Sequence, residues 1–312
     1  MPEVSVGALR WSVPATSNLL DALNTAGLNV PYSCRAGSCH VCLVRCVSGE
    51  LADRQPDALD APMRAEGWRL ACQCAVIGDV EVALFDPMRD GTPTQVQNCD
   101  WPSPGVLRLR LQPQQPVRYA AGQHVVLWTA EGVARPYSLA SVPQEDRWLE
   151  FHIDCRRPGK FADAARRLMP GDPLRLGELH GGALHYDPAW QDQPLWLLAA
   201  GTGLAPLFAV LREALRQGHK GAIRVVHLAP ETGEHYLAAE LQALAAQHAN
   251  VQVQLVFAQD MAAALAGLRT SGGQPWVLVC GSPETVELWA KRLFLAGVKR
   301  NRLFTDVFTP RV

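Results

Sequence analysis

The sequence predicts a multidomain protein of the α+β and α/β classes, with three consecutive domains. The chain has 312 residues, which is more than one ordinary domain needs, and six of its nine cysteines lie before residue 75. The middle part alternates apolar and polar residues, whereas the last part alternates strands with helices. Polar stretches rich in Pro and Gly or in Asp and Gln separate these parts at 85–94 and 187–194. We therefore expect domains at 1–90, 94–188 and 191–312.

A cysteine-rich loop marks the first domain. Cys34, Cys39 and Cys42 fall within nine residues, and Gly37 lets the backbone wrap closely around a bound group. With one later cysteine, the spacing becomes C-x4-C-x2-C … C, which is typical of a plant-type 2Fe-2S cluster. Such a cluster carries single electrons, so the pattern predicts an electron-transfer protein. The candidates for the fourth ligand are Cys72, Cys74 and Cys46.

Two other interpretations of these cysteines are weaker. A structural zinc site usually has paired short spacings, and Cys72-Gln-Cys74 makes a poor second pair. Buried structural thiols are common, but three cysteines in a loop rich in Gly and Ser do not fit that interpretation. If the segment after residue 70 is a strand, Cys72 and Cys74 face the same side of it.

Composition excludes several classes of function. The formal net charge is −1 without a long basic run, which argues against a nucleic-acid partner. No apolar segment reaches membrane-spanning length, and the start lacks a signal peptide's basic and apolar regions. Clustered cysteines suit metal ligation in a reducing compartment. We therefore expect a cytoplasmic protein that binds neither nucleic acid nor a membrane, and we expect it to be a monomer.

The middle domain is predicted to be a small antiparallel β barrel. Strand-like alternation covers 106–111 and 148–153. Two motifs, Ala121-Gly-Gln-His124 and Arg135-Pro-Tyr-Ser138, resemble the flavin domain of the ferredoxin–NADP reductase superfamily. The resemblance implies that Arg135 binds the flavin phosphate, that Tyr137 packs on the isoalloxazine, and that Ser138 reaches flavin N5. Taken alone, the motif with Pro136 is also compatible with an ordinary edge strand.

The next predicted flavin element is a glycine turn that opens a helix over 158–168. Amide N–H groups at such a helix start bind phosphate. The candidate residues are Gly159, Lys160, Phe161 and Ala162. Ala162 stands where the superfamily usually has Ser or Thr, so Lys160 would supply charge instead. The loop at 176–182 also lacks the usual Gly-Pro-x-Gly form.

The last domain is predicted to be a parallel-sheet α/β domain that binds a nucleotide. A buried strand over 195–200 is followed by Gly201-Thr-Gly-Leu-Ala-Pro206 and a helix over 207–216. Further strands are expected at 223–228, 251–256 and 276–280, and Cys280-Gly-Ser-Pro283 ends the last of them. Ligands of such sheets bind where the strands end.

Both motifs of this domain resemble the NAD(P)H-binding motifs of the same superfamily. The resemblance implies that Cys280 lies near the nicotinamide and that Phe308, near the end of the chain, approaches the flavin. Docking of an apolar tail is an equally good explanation of Phe308. The residues implied to bind the nucleotide are Gly201, Thr202, Gly203, Pro206, Cys280, Gly281, Ser282 and Pro283.

The segment after the second strand of this domain favours NADH over NADPH. It reads Ala229-Pro-Glu-Thr232, with neither Lys nor Arg to pair with a 2′-phosphate. Glu231 would accept hydrogen bonds from the free ribose hydroxyls of NADH and repel a phosphate.

The order of the three domains resembles the reductase components of bacterial ring-hydroxylating dioxygenases and soluble monooxygenases. The resemblance implies a β-grasp ferredoxin domain, with Cys72 as the fourth ligand, before the flavin barrel and the nicotinamide domain. It implies FAD as the flavin, Ser138 and Cys280 as catalytic residues, and an external oxygenase component or other one-electron acceptor. A nicotinamide gives two electrons and a cluster accepts one, so a flavin belongs between them. The alternatives are a reductase for sugar deoxygenation and a non-catalytic redox sensor.

Overall fold

The computed structural model describes residues 1–230, 234–266 and 274–309. Its strands form three sheets, and each sheet takes its strands from one continuous part of the chain. Within the described residues, no helix is both long enough and apolar enough to cross a membrane. The chain thus folds as three successive units, in the predicted order.

The first unit is a five-stranded mixed sheet folded around one helix, as a β-grasp domain is. Strand β1 pairs antiparallel with β2 and parallel with β5. Helix α1 begins after Asn18, whose side chain accepts a hydrogen bond from the Asp21 N–H, and it buries three leucines against the sheet. In chain order the elements are β1 (Glu3–Val6), β2 (Leu9–Ser12), α1 (Leu19–Thr25), β3 (Leu43–Asp53), α2 (Ala61–Ala65), β4 (Trp68–Leu70) and β5 (Cys74–Leu84).

The second unit is a six-stranded antiparallel barrel, as predicted. A bridge between Leu139 and Phe151 joins its two outermost strands and closes the sheet. In chain order the elements are β6 (Thr92–Ser103), β7 (Val106–Pro113), β8 (His124–Trp128), β9 (Ala134–Ser138), β10 (Leu149–Asp154), α3 (Lys160–Ala165) and β11 (Pro173–His180). The strand order is β10-β7-β6-β11-β8-β9.

Two details of this barrel differ from the sequence-based prediction. Strand β6 begins at Thr92, inside the stretch predicted as a linker, because its backbone pairs with β11. Helix α3 covers only Lys160–Ala165 of the predicted 158–168, and the chain turns at Arg167 and Leu168 through short-range hydrogen bonds.

The third unit is a five-stranded parallel sheet with order β14-β13-β12-β15-β16. The chain leaves the central strand β12 toward β13 and later returns on its other side as β15. The strand order therefore reverses between β12 and β15, where doubly wound sheets bind ligands. The elements are β12 (Leu195–Ala200), α4 (Leu204–Arg216), β13 (Ile223–Ala229), α5 (Ala238–Gln247), β14 (Val251–Phe257), α6 (Met261–Ala266), β15 (Trp276–Gly281), α7 (Pro283–Leu295) and β16 (Leu303–Val307).

Candidate functional site

The four predicted ligand thiols come together as two pairs. Cys34 shares a hydrogen bond with Cys39, and Cys42 shares one with Cys72. These hydrogen bonds lower the pKa of Cys34 to about 4 and the pKa of Cys72 to about 6. Each pair therefore favours one thiolate, which is the form that binds metals.

Hydrogen-bond donors also point at these sulfurs. The Ala36 N–H donates to Cys34 Sγ at 3.3 Å, and the Cys34 N–H donates to Cys39 Sγ at 3.4 Å. The Gln73 side-chain amide donates to Cys72 Sγ at 3.1 Å. Such hydrogen bonds stabilise negative charge on cluster sulfurs and set the reduction potential.

The donor set fits a two-iron cluster better than a single zinc ion. A zinc ion needs four ligands around one point, whereas two thiol pairs suit two bridged irons. Throughout 1–230, 234–266 and 274–309, no three His, Cys, Asp or Glu side chains gather closely enough to hold one metal ion. We retain the four cysteines as the proposed cluster ligands.

Cys72 and Cys74 do not lie on one strand, so the condition under which they would share a strand face is not met. Residues 71–73 form a 3-10 turn, and strand β5 begins only at Cys74. Cys74 is 1% exposed in the core of the first domain, and burial raises the pKa of its thiol to about 12. The nearby Cys46, which lies on β3, also contributes to raising the pKa of Cys74.

The cysteine loop packs against the barrel. Val41 lies in one apolar cluster with Val126, Trp128 and Ala134 on the outer face of β8 and β9. The Phe85 ring, just past β5, stacks on Trp128 with ring centroids 5.5 Å apart. The first domain therefore presents its cysteine loop to β9, the strand that carries the Arg-Pro-Tyr-Ser motif, and to its neighbour β8.

The motif residues on β9 point to both faces of the barrel wall. Arg135 and Tyr137 pair with Leu127 and Val125, which belong to the barrel core. Ser138 is the next residue after Tyr137, so its side chain leaves the opposite face, where it is 5% exposed. A planar group reaching both Tyr137 and Ser138 would have to lie at an edge of the strand.

The residues of the glycine turn before α3 are mostly buried or already hydrogen-bonded. The Phe161 side chain is 2% exposed, lies in the barrel core and meets Tyr137 with ring centroids 4.9 Å apart. The Gly159 N–H already donates to the Asp163 carboxylate at 3.2 Å. Lys160 is exposed, and Ala162 packs partly on the barrel core.

The two nucleotide motifs of the third domain meet at the reversal of strand order. Gly201–Gly203 forms a 3-10 turn directly before α4. A Cβ placed on Gly203 would lie 2.5 Å from the Cys280 carbonyl carbon and 2.9 Å from the Gly281 nitrogen. Only glycine permits this approach of two backbones. Thr202 is half-buried beside the turn, whereas Pro206 is buried within α4.

The residues around Cys280 are closely packed. Cys280 is fully buried, and burial raises the pKa of its thiol well above the usual range. Ser282 caps α7, with its Oγ accepting from the Thr285 N–H at 3.4 Å, and Pro283 is the first residue of that helix. Phe308 is half-buried against the domain core, and its N–H donates to the Gly281 carbonyl at 2.8 Å.

Comparison with known proteins identifies the family. Residues 9–76 match the 2Fe-2S iron-sulfur cluster binding domain, and residues 197–290 match the oxidoreductase NAD-binding domain. The reductase subunit of an aromatic O-demethylase from Amycolatopsis is 30% identical, with 98% of each chain covered. This chain belongs to the three-domain ferredoxin–NAD(P) reductase family. The reductase is therefore an oxidoreductase with an iron–sulfur domain and a nicotinamide-nucleotide domain.

Other relatives match the sequence of the reductase over nearly their full lengths. The ferredoxin–NAD(P)+ reductase component of a naphthalene 1,2-dioxygenase system from Pseudomonas putida is 28% identical, covering 95% of this chain and 94% of its own. A CDP-6-deoxy-L-threo-D-glycero-4-hexulose-3-dehydrase reductase from Yersinia pseudotuberculosis is 24% identical, covering 95% and 94%. The crystal structure of an Amycolatopsis cytochrome P450 reductase superposes with a TM-score of 0.67 and 27% identity over 99% of both chains.

The reductase also has a charged contact beside the glycine turn that the sequence did not reveal. Arg156, just after β10, bridges to Glu234 of the third domain at 3.2 Å. Its guanidinium lies 3.2 Å from the position of a Cβ on Gly201. Arg156 and Glu234 belong to different domains, so no local pattern could pair them. Glu231, the residue expected to favour NADH, lies outside the described residues.

Proposed function

We propose that this reductase takes electrons from NADH and passes them through FAD and a 2Fe-2S cluster to an acceptor protein, the terminal oxygenase component of a bacterial oxygenase system. One observation carries the proposal. The cysteine loop packs on the outer face of β8 and β9, and β9 carries the Arg-Pro-Tyr-Ser motif. A flavin held at this wall would be the nearest two-electron carrier to the cluster, which accepts electrons singly.

The proposed cofactor residues follow the three domains. Cys34, Cys39, Cys42 and Cys72 would hold the cluster. Arg135 would bind a flavin phosphate, Tyr137 would face the flavin ring, and Ser138 would donate its hydroxyl near the reacting nitrogen. The nucleotide would lie where Gly201–Gly203 meets Cys280–Pro283, since both segments end strands at the reversal of strand order.

We further propose domain boundaries at 1–90, 94–188 and 191–312, which is supported by three sheets that share no strand. The cytoplasm is the proposed location because nine thiols, six of them close together, suit a reducing compartment. A monomer is proposed as the state of the free reductase.

Cofactor analysis and anaerobic reduction test the proposal. The purified reductase should contain about two irons per chain. It should release FAD on denaturation, as identified by chromatography. NADH should bleach its visible spectrum much faster than NADPH. Release of FMN alone would refute FAD, equal rates with NADPH would refute the nucleotide choice, and a chain that NADH never reduces would refute the electron path.

A second candidate acceptor is the dehydratase of a sugar-deoxygenation system. The observation that favours it is the Yersinia dehydrase reductase, which matches this chain nearly end to end. The two candidates differ only in the acceptor protein. Incubation of the NADH-reduced protein with an oxygenase component or with a sugar dehydratase would show which of them reoxidises the cluster. Steady NADH turnover with an artificial electron acceptor would exclude a non-catalytic redox sensor.

A further inference from the structure

Three histidines from three separate segments meet between the cysteine loop and the barrel. His40 lies between the proposed ligands Cys39 and Cys42. Its ring centroid is 3.4 Å from that of His180, at an interplanar angle of 52°. The His180 and His124 ring centroids are 5.9 Å apart. The proposed function assigns no role to any of these three side chains, although His40 lies in the cysteine loop and His124 ends the Ala121-Gly-Gln-His124 motif.

The two barrel histidines continue a row that starts at Ser138. On adjacent antiparallel strands, Ser138 is the register partner of His124, and His124 is the register partner of His180. Side chains of such partners lie on the same face of a sheet. Two strand spacings span roughly 10 Å, so the row leads from the proposed flavin residue to the edge of the cysteine loop.

This row is buried and makes contact across domains. His40 is 7% exposed and His180 is 8% exposed. His124 also interacts with the Ser38 backbone of the cysteine loop. His40 has a left-handed backbone, with φ +54°, within the tight cysteine loop. The cysteine loop is therefore seated on the barrel by ring contacts as well as by Val41.

Side-chain nitrogens in the row lack partners. Within the described residues, His40 Nδ1, His124 Nε2 and His180 Nε2 are buried without a hydrogen bond. Burial of unpaired polar atoms costs free energy, so the contact between the tilted His40 and His180 rings is not explained by stability alone. These three residues also fail to gather closely enough to hold a metal ion.

We propose that His180, with His124 beside it, is a positioning residue that seats the His40 edge of the cysteine loop and so fixes the distance between cluster and flavin. The inference rests on the proposed electron path. The packing of the cysteine loop on the barrel can nevertheless be tested separately from electron transfer, because it can be measured without NADH.

His180→Ala and His180→Phe test the proposal, with His248→Ala as the matched control in the third domain. The first measurement is hydrogen–deuterium exchange of residues 39–43 in the oxidised holoprotein. Loss of one aromatic pair should speed exchange there by roughly two- to tenfold in His180→Ala. The Phe variant keeps a ring and should stay close to wild type, as should His248→Ala.

The second measurement separates the two electron steps by anaerobic stopped flow. In His180→Ala, flavin bleaching by NADH should keep its wild-type rate, while the later cluster bleaching should slow severalfold. Unchanged loop exchange and cluster reduction in His180→Ala would overturn the proposal. A Phe variant that is as impaired as the Ala variant would also overturn it. Zinc that copurifies at one per chain and is lost in both variants would overturn it too, because the histidines would then hold the loop by binding a metal ion. If NADH fails to reduce even the wild type, the electron path fails, while loop exchange still decides the seating.

Discussion

Gly203 and Cys280 lie so close that their backbones leave no room for a side chain between them. A Cβ on Gly203 would come within 2.5 Å of the Cys280 carbonyl carbon. The glycine turn after β12 and the end of β15 therefore lie in direct contact and form one continuous surface. That surface lies at the reversal of strand order, where this family's nucleotide domain is expected to hold its ligand.

Gly203→Ala should therefore disrupt both packing and nucleotide binding. Because the added methyl meets backbone atoms rather than a flexible side chain, we expect a loss of about 1–3 kcal/mol in unfolding free energy. The KM for NADH should rise as well. Gly78→Ala is the control, since a Cβ there meets nothing within 4 Å. Urea denaturation curves indistinguishable from wild type would contradict the close approach.

Cys72→Ser and Cys74→Ala should have opposite effects on the cluster. Cys72 pairs with Cys42 in the loop, whereas Cys74 is buried in the domain core. The Cys72 variant should lose its iron and the visible absorption of the cluster. The Cys74 variant should keep both, with only a modest loss of stability. Iron analysis and visible spectra decide this, and the reverse pattern would make Cys74 the fourth ligand.

Arg135→Ala should weaken flavin retention. A charge-assisted phosphate contact contributes roughly 1.5–3 kcal/mol, so the flavin Kd should rise by roughly ten- to a hundredfold. The control is Arg118→Ala, because Arg118 is an exposed arginine of the same barrel. Flavin released on dilution can be followed by its fluorescence. Equal retention in both variants would remove Arg135 from the flavin site.

Glu150 should make stability depend on acid pH. Burial alone would raise the pKa of Glu150, but the His152 hydrogen bond and the Arg110 charge outweigh it and lower the pKa from 4.5 to about 2. The ionised carboxylate therefore stabilises the fold above the unfolded-state pKa, and this contribution disappears as pH falls from about 4.5 toward 2.

The test compares wild type with Glu150→Gln by urea denaturation across that range. At pH 6 the variant should be less stable by roughly 3 kcal/mol, and the difference should shrink steadily as the pH is lowered. A difference that stays constant down to pH 3 would show that the carboxylate is not held ionised by its partners.

Local spacing explains why much of the site could be predicted. The loop from Cys34 to Cys42 is continuous in sequence, so its ligand pattern is visible without a structure. The strand, glycine turn and helix around Gly203 are equally local. Strand alternation could not place Cys72, because residues 71–73 form a 3-10 turn rather than part of a strand.

Long-range pairing explains what could not be predicted. The row from Ser138 to His180 depends on the register of three strands, and its contact with His40 depends on docking between domains. The ion pair of Arg156 with Glu234 has the same origin, because the two residues are 78 positions apart. No periodicity or motif in the sequence encodes such contacts.

The most direct test of the electron path is the activity of a Cys39→Ser variant that still folds, with Cys99→Ser as the control. Oxidation of NADH needs the nucleotide and flavin residues but not the cluster, and ferricyanide takes electrons directly from a flavin. We expect Cys39→Ser to reduce ferricyanide with NADH at close to the wild-type rate and to lose most of its reduction of cytochrome c. The control should keep both activities. Cytochrome c reduction that is equal with and without the cluster would contradict the account, because the first domain would then not be the exit for electrons.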